Sequence, residues 1–114
     1  MKVLIKPLSV NDAWQGRRFK THKYKAYESE LLFRLPRFSM PQPPYEAFYT
    51  FGLSSILSDV DNGVKPLQDI LSKKYNFNDR LIHKVTIQKV KTEKKAEYIE
   101  FEFKHYAPTH EDIP

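Results

Sequence analysis

Tyr24, Tyr27, Leu31 and Leu35 recur at three- and four-residue intervals with charged residues between them, and this spacing predicts a helix from about Thr21 to Leu35. Thr21 is a suitable N-cap, and Pro36 stops the helix. Four prolines between Pro36 and Pro44 then preclude regular structure, because proline fixes φ and has no N–H; the segment reads as a stiff connector. "YEAFYTFGL" is aromatic-rich and predicts a strand at about Glu46 to Leu53. Val64, Leu67, Ile70 and Leu71 form one apolar face of a second helix running to about Lys74, closed by the polar "YNFND". In "LIHKVTIQKVKTEKKAEYIEFEFKHY", Ile82, Val85, Ile87 and Val90 lie on one arm. On the other arm Ile99, Phe101 and Phe103 alternate with Glu100 and Glu102, so the segment predicts a β-hairpin. Residues 2–6 predict a short strand, and "PLSVNDAWQG" a loop. The class is α+β or mixed α/β: a small mixed sheet with two helices packed on it, its strand order not readable from the pattern.

At 114 residues the chain is expected to form one domain over residues 1–106, with 107–114 as a tail. A domain of this size buries a thin core, which makes a dimer natural. No apolar run reaches the roughly 18 residues of a membrane span. The apolar run near the amino terminus, Val3 to Ile5, is too short for a signal peptide, so a cytoplasmic location is expected. The absence of cysteine removes disulfides, thiolate metal sites and thiol nucleophiles. The net charge of +5 is unevenly placed: residues 15–25, "QGRRFKTHKYK", carry five Lys or Arg, interleaved aromatics and no acid. Such a strip suits a phosphate backbone, where counterion release supplies salt-dependent affinity, or it is a solvated basic loop.

"LSDVDNGVKPLQDIL" holds the candidate chemistry. Asp59 and Asp61 sit where a strand ends and a helix begins. In an extended segment residues i and i+2 share a face, about 7 Å apart at Cα, so the two carboxylates could converge on a hard cation. Asp79 lies at the mouth of the following strand, from which it could approach the same end of the sheet. Lys65 follows Asp61 by four residues, near a substrate phosphate on helical geometry, and Asp69 could hold it in place. The competing reading is that Asp59 or Asp61 caps the helix N-terminus and Asp79 is a loop acid. Pro66 disfavours α geometry at Lys65, so either Asn62 to Pro66 is an irregular first turn or the helix begins later.

The order and spacing of these residues resemble the core motif of RusA-type endonucleases, which resolve Holliday junctions. The matching positions are Asp59, Asp61, Asn62, Lys65, Asp69 and Asp79. "KPLSVNDAWQGRRFKTHKYKAYE" resembles that family's opening strand, loop, basic segment and first helix, and the last two strands resemble its closing strands, so the likeness spans roughly residues 3–104. It implies a homodimeric endonuclease that depends on Mg²⁺, with Mn²⁺ able to substitute, and that acts on branched DNA such as a four-way junction. Asp59, Asp61 and Asp79 would be the metal ligands and Lys65 the lysine beside the scissile phosphate. Arg17, Arg18, Lys20 and Lys23 would hold backbone phosphates. Three departures stand out: Asn78 where the family often has a second acid, a segment between Lys65 and Asp79 one residue shorter, and Pro66 directly after the lysine.

Other residues offer less. His22, His83, His105 and His110 lack paired ligand spacing, and Ser54, Ser55 and Ser58 lack a base or oxyanion motif. Trp14 either stacks on a base or anchors its loop to the core. Tyr45, Phe48, Tyr49 and Phe51 suggest either a stacking platform or a sheet packed on both faces. Two alternatives to the nuclease are a non-catalytic basic nucleic-acid-binding module and a protein-interaction domain using the proline connector.

Overall fold

A computed structural model describes residues 1–16 and 19–108. In chain order the elements are β1 (Lys2–Val3), α1 (Val10–Ala13), β2 (Trp14–Gln15), β3 (Phe19–Lys20), α2 (His22–Arg34), β4 (Tyr45–Leu53), α3 (Val64–Tyr75), a 3₁₀ turn (Asp79–Leu81), β5 (Ile82–Lys91) and β6 (Tyr98–His105). The predicted mixed α/β class holds, with a mixed sheet and three helices.

The first long helix follows its local signals. Thr21 Oγ1 accepts from the Tyr24 amide at 3.2 Å, and the Leu35 amide bonds the Leu31 carbonyl just before Pro36. Tyr24, Tyr27, Leu31 and Leu35 are all buried. The segment expected as a loop contains α1 and β2, and β2 pairs with β3 beyond it in a small ribbon. Trp14, at the start of that ribbon, packs on Tyr24 with ring centroids 5.4 Å apart, so it anchors the loop to the core.

The sheet departs from the predicted hairpin. Its order is β1-β6-β4-β5: β4 lies between the last two strands, parallel to β5 and antiparallel to β6. β5 and β6 therefore do not pair with each other. Burial decides the order. No residue of β4 is exposed, which suits a strand with neighbours on both edges, whereas the lysine-rich β5 is mostly exposed and takes the edge. Parallel pairing of β4 with β5 requires the crossover that α3 provides.

The register places Tyr49 beside Phe101 and Phe51 beside Ile99 on one face of the sheet. On that face the core continues into Leu67, Ile70 and Leu71 of α3 and Leu31 of α2. The opposite face carries exposed Glu100 and Glu102, with Phe48 only half-buried, so one face is packed rather than two. Gly52 has a steric role: a Cβ there would lie 2.3 Å from the Tyr98 ring and 3.0 Å from Thr92 Cγ2. Gly52→Ala is expected to lower stability by about 1–3 kcal/mol, the range for overpacking, in urea denaturation. A wild-type midpoint would show that the Tyr98 ring swings aside freely.

Among the described residues no helix is long and apolar enough to cross a membrane.

Candidate functional site

The acidic segment is a turn, not an extended strand end. The Asn62 amide donates to the Asp59 carbonyl at 3.2 Å and the Val64 amide to the Asp61 carbonyl at 3.1 Å, winding residues 59–63 into α3. The i, i+2 alignment expected of extended backbone therefore does not apply to Asp59 and Asp61. Gly63 is the N-cap and has no side-chain cap bond, so neither aspartate caps α3. Its lack of a side chain matters, since a Cβ would meet the Phe51 ring at 2.9 Å. Pro66 is the third residue of α3 and is buried; in the first turn an amide has no intrahelical acceptor, so its missing N–H is harmless. The helix begins at Val64, as the apolar spacing predicts.

Asp59 and Asp61 are both exposed, and among the described residues their carboxylates make no hydrogen bond or ion pair. Lys65 Nζ lies 3.2 Å from Asp69 Oδ2, the i, i+4 contact expected from the sequence. An exposed pair of this kind is worth only about 0.3–0.5 kcal/mol, so its effect is to orient the ammonium rather than to stabilise the helix. Burial pushes the Tyr24 hydroxyl up to about 12, with Asp69 and Glu28 adding to the shift.

Asp79 stands elsewhere. Asp59 and Asp61 follow the carboxyl end of β4, whereas Asp79 precedes the amino end of β5. Because β4 and β5 run parallel, from Tyr45 beside Ile82 to Leu53 beside Lys91, these positions belong to opposite ends of the strand pair. The intervening α3 has 12 residues, about 18 Å of rise. The expectation that Asp79 approaches the same end of the sheet is thus corrected. Its charge instead bears on Tyr49, whose hydroxyl is pushed up chiefly by burial and which donates to Gln68 Oε1 at 2.9 Å. Among the described residues no three His, Asp or Glu side chains are grouped closely enough to hold a metal ion.

Beside the acidic turn is a cavity of about 270 Å³, lined in part by Lys6, Ser9, Asp12, Asp59, Asn62 and Glu97. Asp59 faces it; Asp61 is not part of its wall. Ser54 Oγ donates to the Glu97 carboxylate at 3.0 Å, and this bond holds Glu97 below the usual carboxylate range, with a smaller contribution from Lys6. The Val10 amide donates to the Asn62 carbonyl at 2.8 Å, tying the turn to α1. Asp12, Lys6 and Glu97 carry no local signal; they reach this wall from α1, from the segment after β1 and from the residue before β6, which only the fold brings together.

Of the basic candidates, Arg17 and Arg18 lie outside the described residues. Lys20 pairs with Glu28 at 3.4 Å and sits over the Tyr24 ring at 5.0 Å. Lys23, in the first turn of α2, is exposed and makes no ion pair among the described residues.

Neither the protein-family models nor the curated proteins compared with this chain match it.

Proposed function

We propose that the protein is a metal-dependent endonuclease for branched DNA, acting in the cytoplasm as a homodimer with Mg²⁺ and resolving four-way junctions by phosphodiester hydrolysis. One observation carries the reading: two aspartates at the start of α3 leave their carboxylates exposed and unpartnered, one turn from an oriented lysine. Helix capping, the ordinary reason for acids at this position, does not account for them. Magnesium commonly takes only one or two protein carboxylates, with water and substrate phosphate completing its octahedron, so a single aspartate of this turn, or both, would serve as its protein ligands without a third acid. When bound, the cation would supply Lewis-acid activation of water and of the leaving oxygen. Lys65 would neutralise charge on the phosphate, and Lys20 and Lys23 would hold the backbone, setting register without reading bases.

The test is calorimetric titration with Mn²⁺ alongside incubation of a synthetic four-way junction with Mg²⁺. The expected result is Mn²⁺ binding that Asp59→Asn removes and Asp79→Asn leaves close to wild type, with paired nicks in the junction. Loss of binding in Asp79→Asn would restore the three-acid site and imply rearrangement of the β4–β5 crossover. Absence of any binding would favour the second reading, a non-catalytic nucleic-acid-binding module.

Both readings share an expectation for the basic segment. Lys23→Gln should weaken DNA binding uniformly across sequences and reduce the slope of log K against log salt by about 1, the change for one lost phosphate contact. Fluorescence anisotropy over a salt series reads this slope, and an unchanged slope would remove Lys23 from the interface.

A further inference from the structure

Residues 54–63 connect β4 to α3 and carry both exposed aspartates, yet they belong to no strand of the sheet. The nearest anchors come from the edge strand. Lys89 stands opposite Phe51 in the parallel register of β5 and β4. From there its ammonium donates to the carbonyls of Ile56 at 2.8 Å and Ser58 at 2.7 Å. The Ser58 carbonyl belongs to the peptide bond that leads directly into Asp59. Two residues along the same strand, Lys91 Nζ donates to the Ser54 carbonyl. Alternate side chains of β5 thus reach over the connecting segment and gather three of its carbonyls.

The choice of partner is informative. Glu46, Asp69 and Glu28 all pair with lysines, whereas Lys89 pairs with no carboxylate among the described residues and donates to neutral peptide oxygens. Hydrogen bonds from an ionised donor are roughly twice as strong as neutral ones, and two of them converge here on a three-residue stretch. Lys89 is also half-buried, on an edge strand whose other lysines, Lys84 and Lys91, are exposed. The far end of the segment has its own fastening, through the Val10 amide to the Asn62 carbonyl. Asp59 and Asp61 lie between these two attachments.

We propose that Lys89 is a positioning residue: by clamping the Ile56 and Ser58 carbonyls onto β5, it fixes how the Asp59–Asp61 turn presents its carboxylates to a divalent cation. The functional half of this inference rests on the nuclease reading; the clamp itself does not. Lys89 acts through the backbone that leads into Asp59 and has no contact with substrate in this role. Methionine at 89 keeps the length and apolar stem and removes the donors, while arginine keeps donors.

The experiment compares wild type with Lys89→Met, Lys89→Gln and Lys89→Arg, using amide hydrogen exchange over residues 54–63, Mn²⁺ titration, and the Mg²⁺ dependence of junction nicking. In K89M and K89Q, exchange at the Asn62 amide, which bonds the Asp59 carbonyl within the turn, should speed by about tenfold or more, the loss expected for hydrogen bonds to a charged group, while β4 and β6 amides keep wild-type protection. The Mg²⁺ concentration for half-maximal nicking should rise by about 10- to 100-fold, the range for residues that orient metal ligands, with much of the rate regained at saturating Mg²⁺. K89R should restore both. Wild-type exchange in K89M and K89Q would overturn the clamp. Faster exchange with an unaltered metal requirement would overturn the positioning role. If wild type neither binds Mn²⁺ nor nicks DNA, the nuclease reading fails separately, and the functional half of the proposal falls with it whatever the exchange rates show.

Discussion

Asp61→Asn is expected to abolish junction cleavage while leaving junction binding and thermal stability close to wild type. The substitution is nearly isosteric and removes only an anionic oxygen. The Asp61 carbonyl still receives the Val64 amide, so the turn into α3 is kept. Its carboxylate has no partner among the described residues, so nothing in the fold loses a contact. Stability should therefore change by less than about 0.5 kcal/mol, as for surface substitutions without a specific role. Cleavage should fall by on the order of 10² to 10³, the loss typical when one element of transition-state charge stabilisation is removed. The measurements are a nicking time course with Mg²⁺, a gel shift in Ca²⁺ and a thermal melt. Undiminished cutting by Asp61→Asn would end the metal assignment. Undiminished cutting with a loss of about 0.3–1 kcal/mol would instead mark Asp61 as a complement to the α3 dipole.

Phe101→Ala should cost about 3–5 kcal/mol, the range for truncating a core aromatic. Phe101 is 2 % exposed and contacts the rings of Phe38 at 6.2 Å, Tyr75 at 6.3 Å and Phe103 at 5.9 Å. It thus joins β6 to the proline-rich connector and to the end of α3. Set against a total stability of about 5–15 kcal/mol, this loss is large enough to leave part of the population unfolded at 37 °C. The melting temperature should drop by roughly 12–20 °C for a chain of this size. Phe33→Ala is the matched control: Phe33 is 90 % exposed, so its removal should leave the melting temperature nearly unchanged. Equal effects at the two positions would mean that β6 does not pack against the connector as described.

The two long helices and β4 were legible because their signals are local. Thr21 caps α2 with its own hydroxyl, Pro36 ends it, and the apolar residues between repeat at helical spacing. The same spacing predicts the burial of Leu67, Ile70 and Leu71, and the four-residue interval predicts the Lys65–Asp69 contact. The pairing of β5 with β6 was not legible. Both segments alternate, and alternation specifies which face is buried without specifying the neighbour. The sequence "TEKKAE" connects them just as well when β4 lies between. The exposed, lysine-rich β5 and the buried β4 acquire their places only when the whole sheet competes for burial.

The candidate site divides along the same line. Sequence alone put Asp59, Asp61 and Lys65 within a few residues of one another, and chain connectivity keeps them at the start of α3. It also identified Asp79 as a candidate but could not say where it stands. That depends on the direction of β5 relative to β4, and the parallel crossover sends Asp79 to the other end of the strand pair. Lys89, the part of the cavity wall that Asp12 and Glu97 supply, and the freedom of both aspartates from helix capping likewise came only from the tertiary structure. Short-range spacing constrains residues that share an element; strand order and strand direction are settled by burial summed over the entire chain.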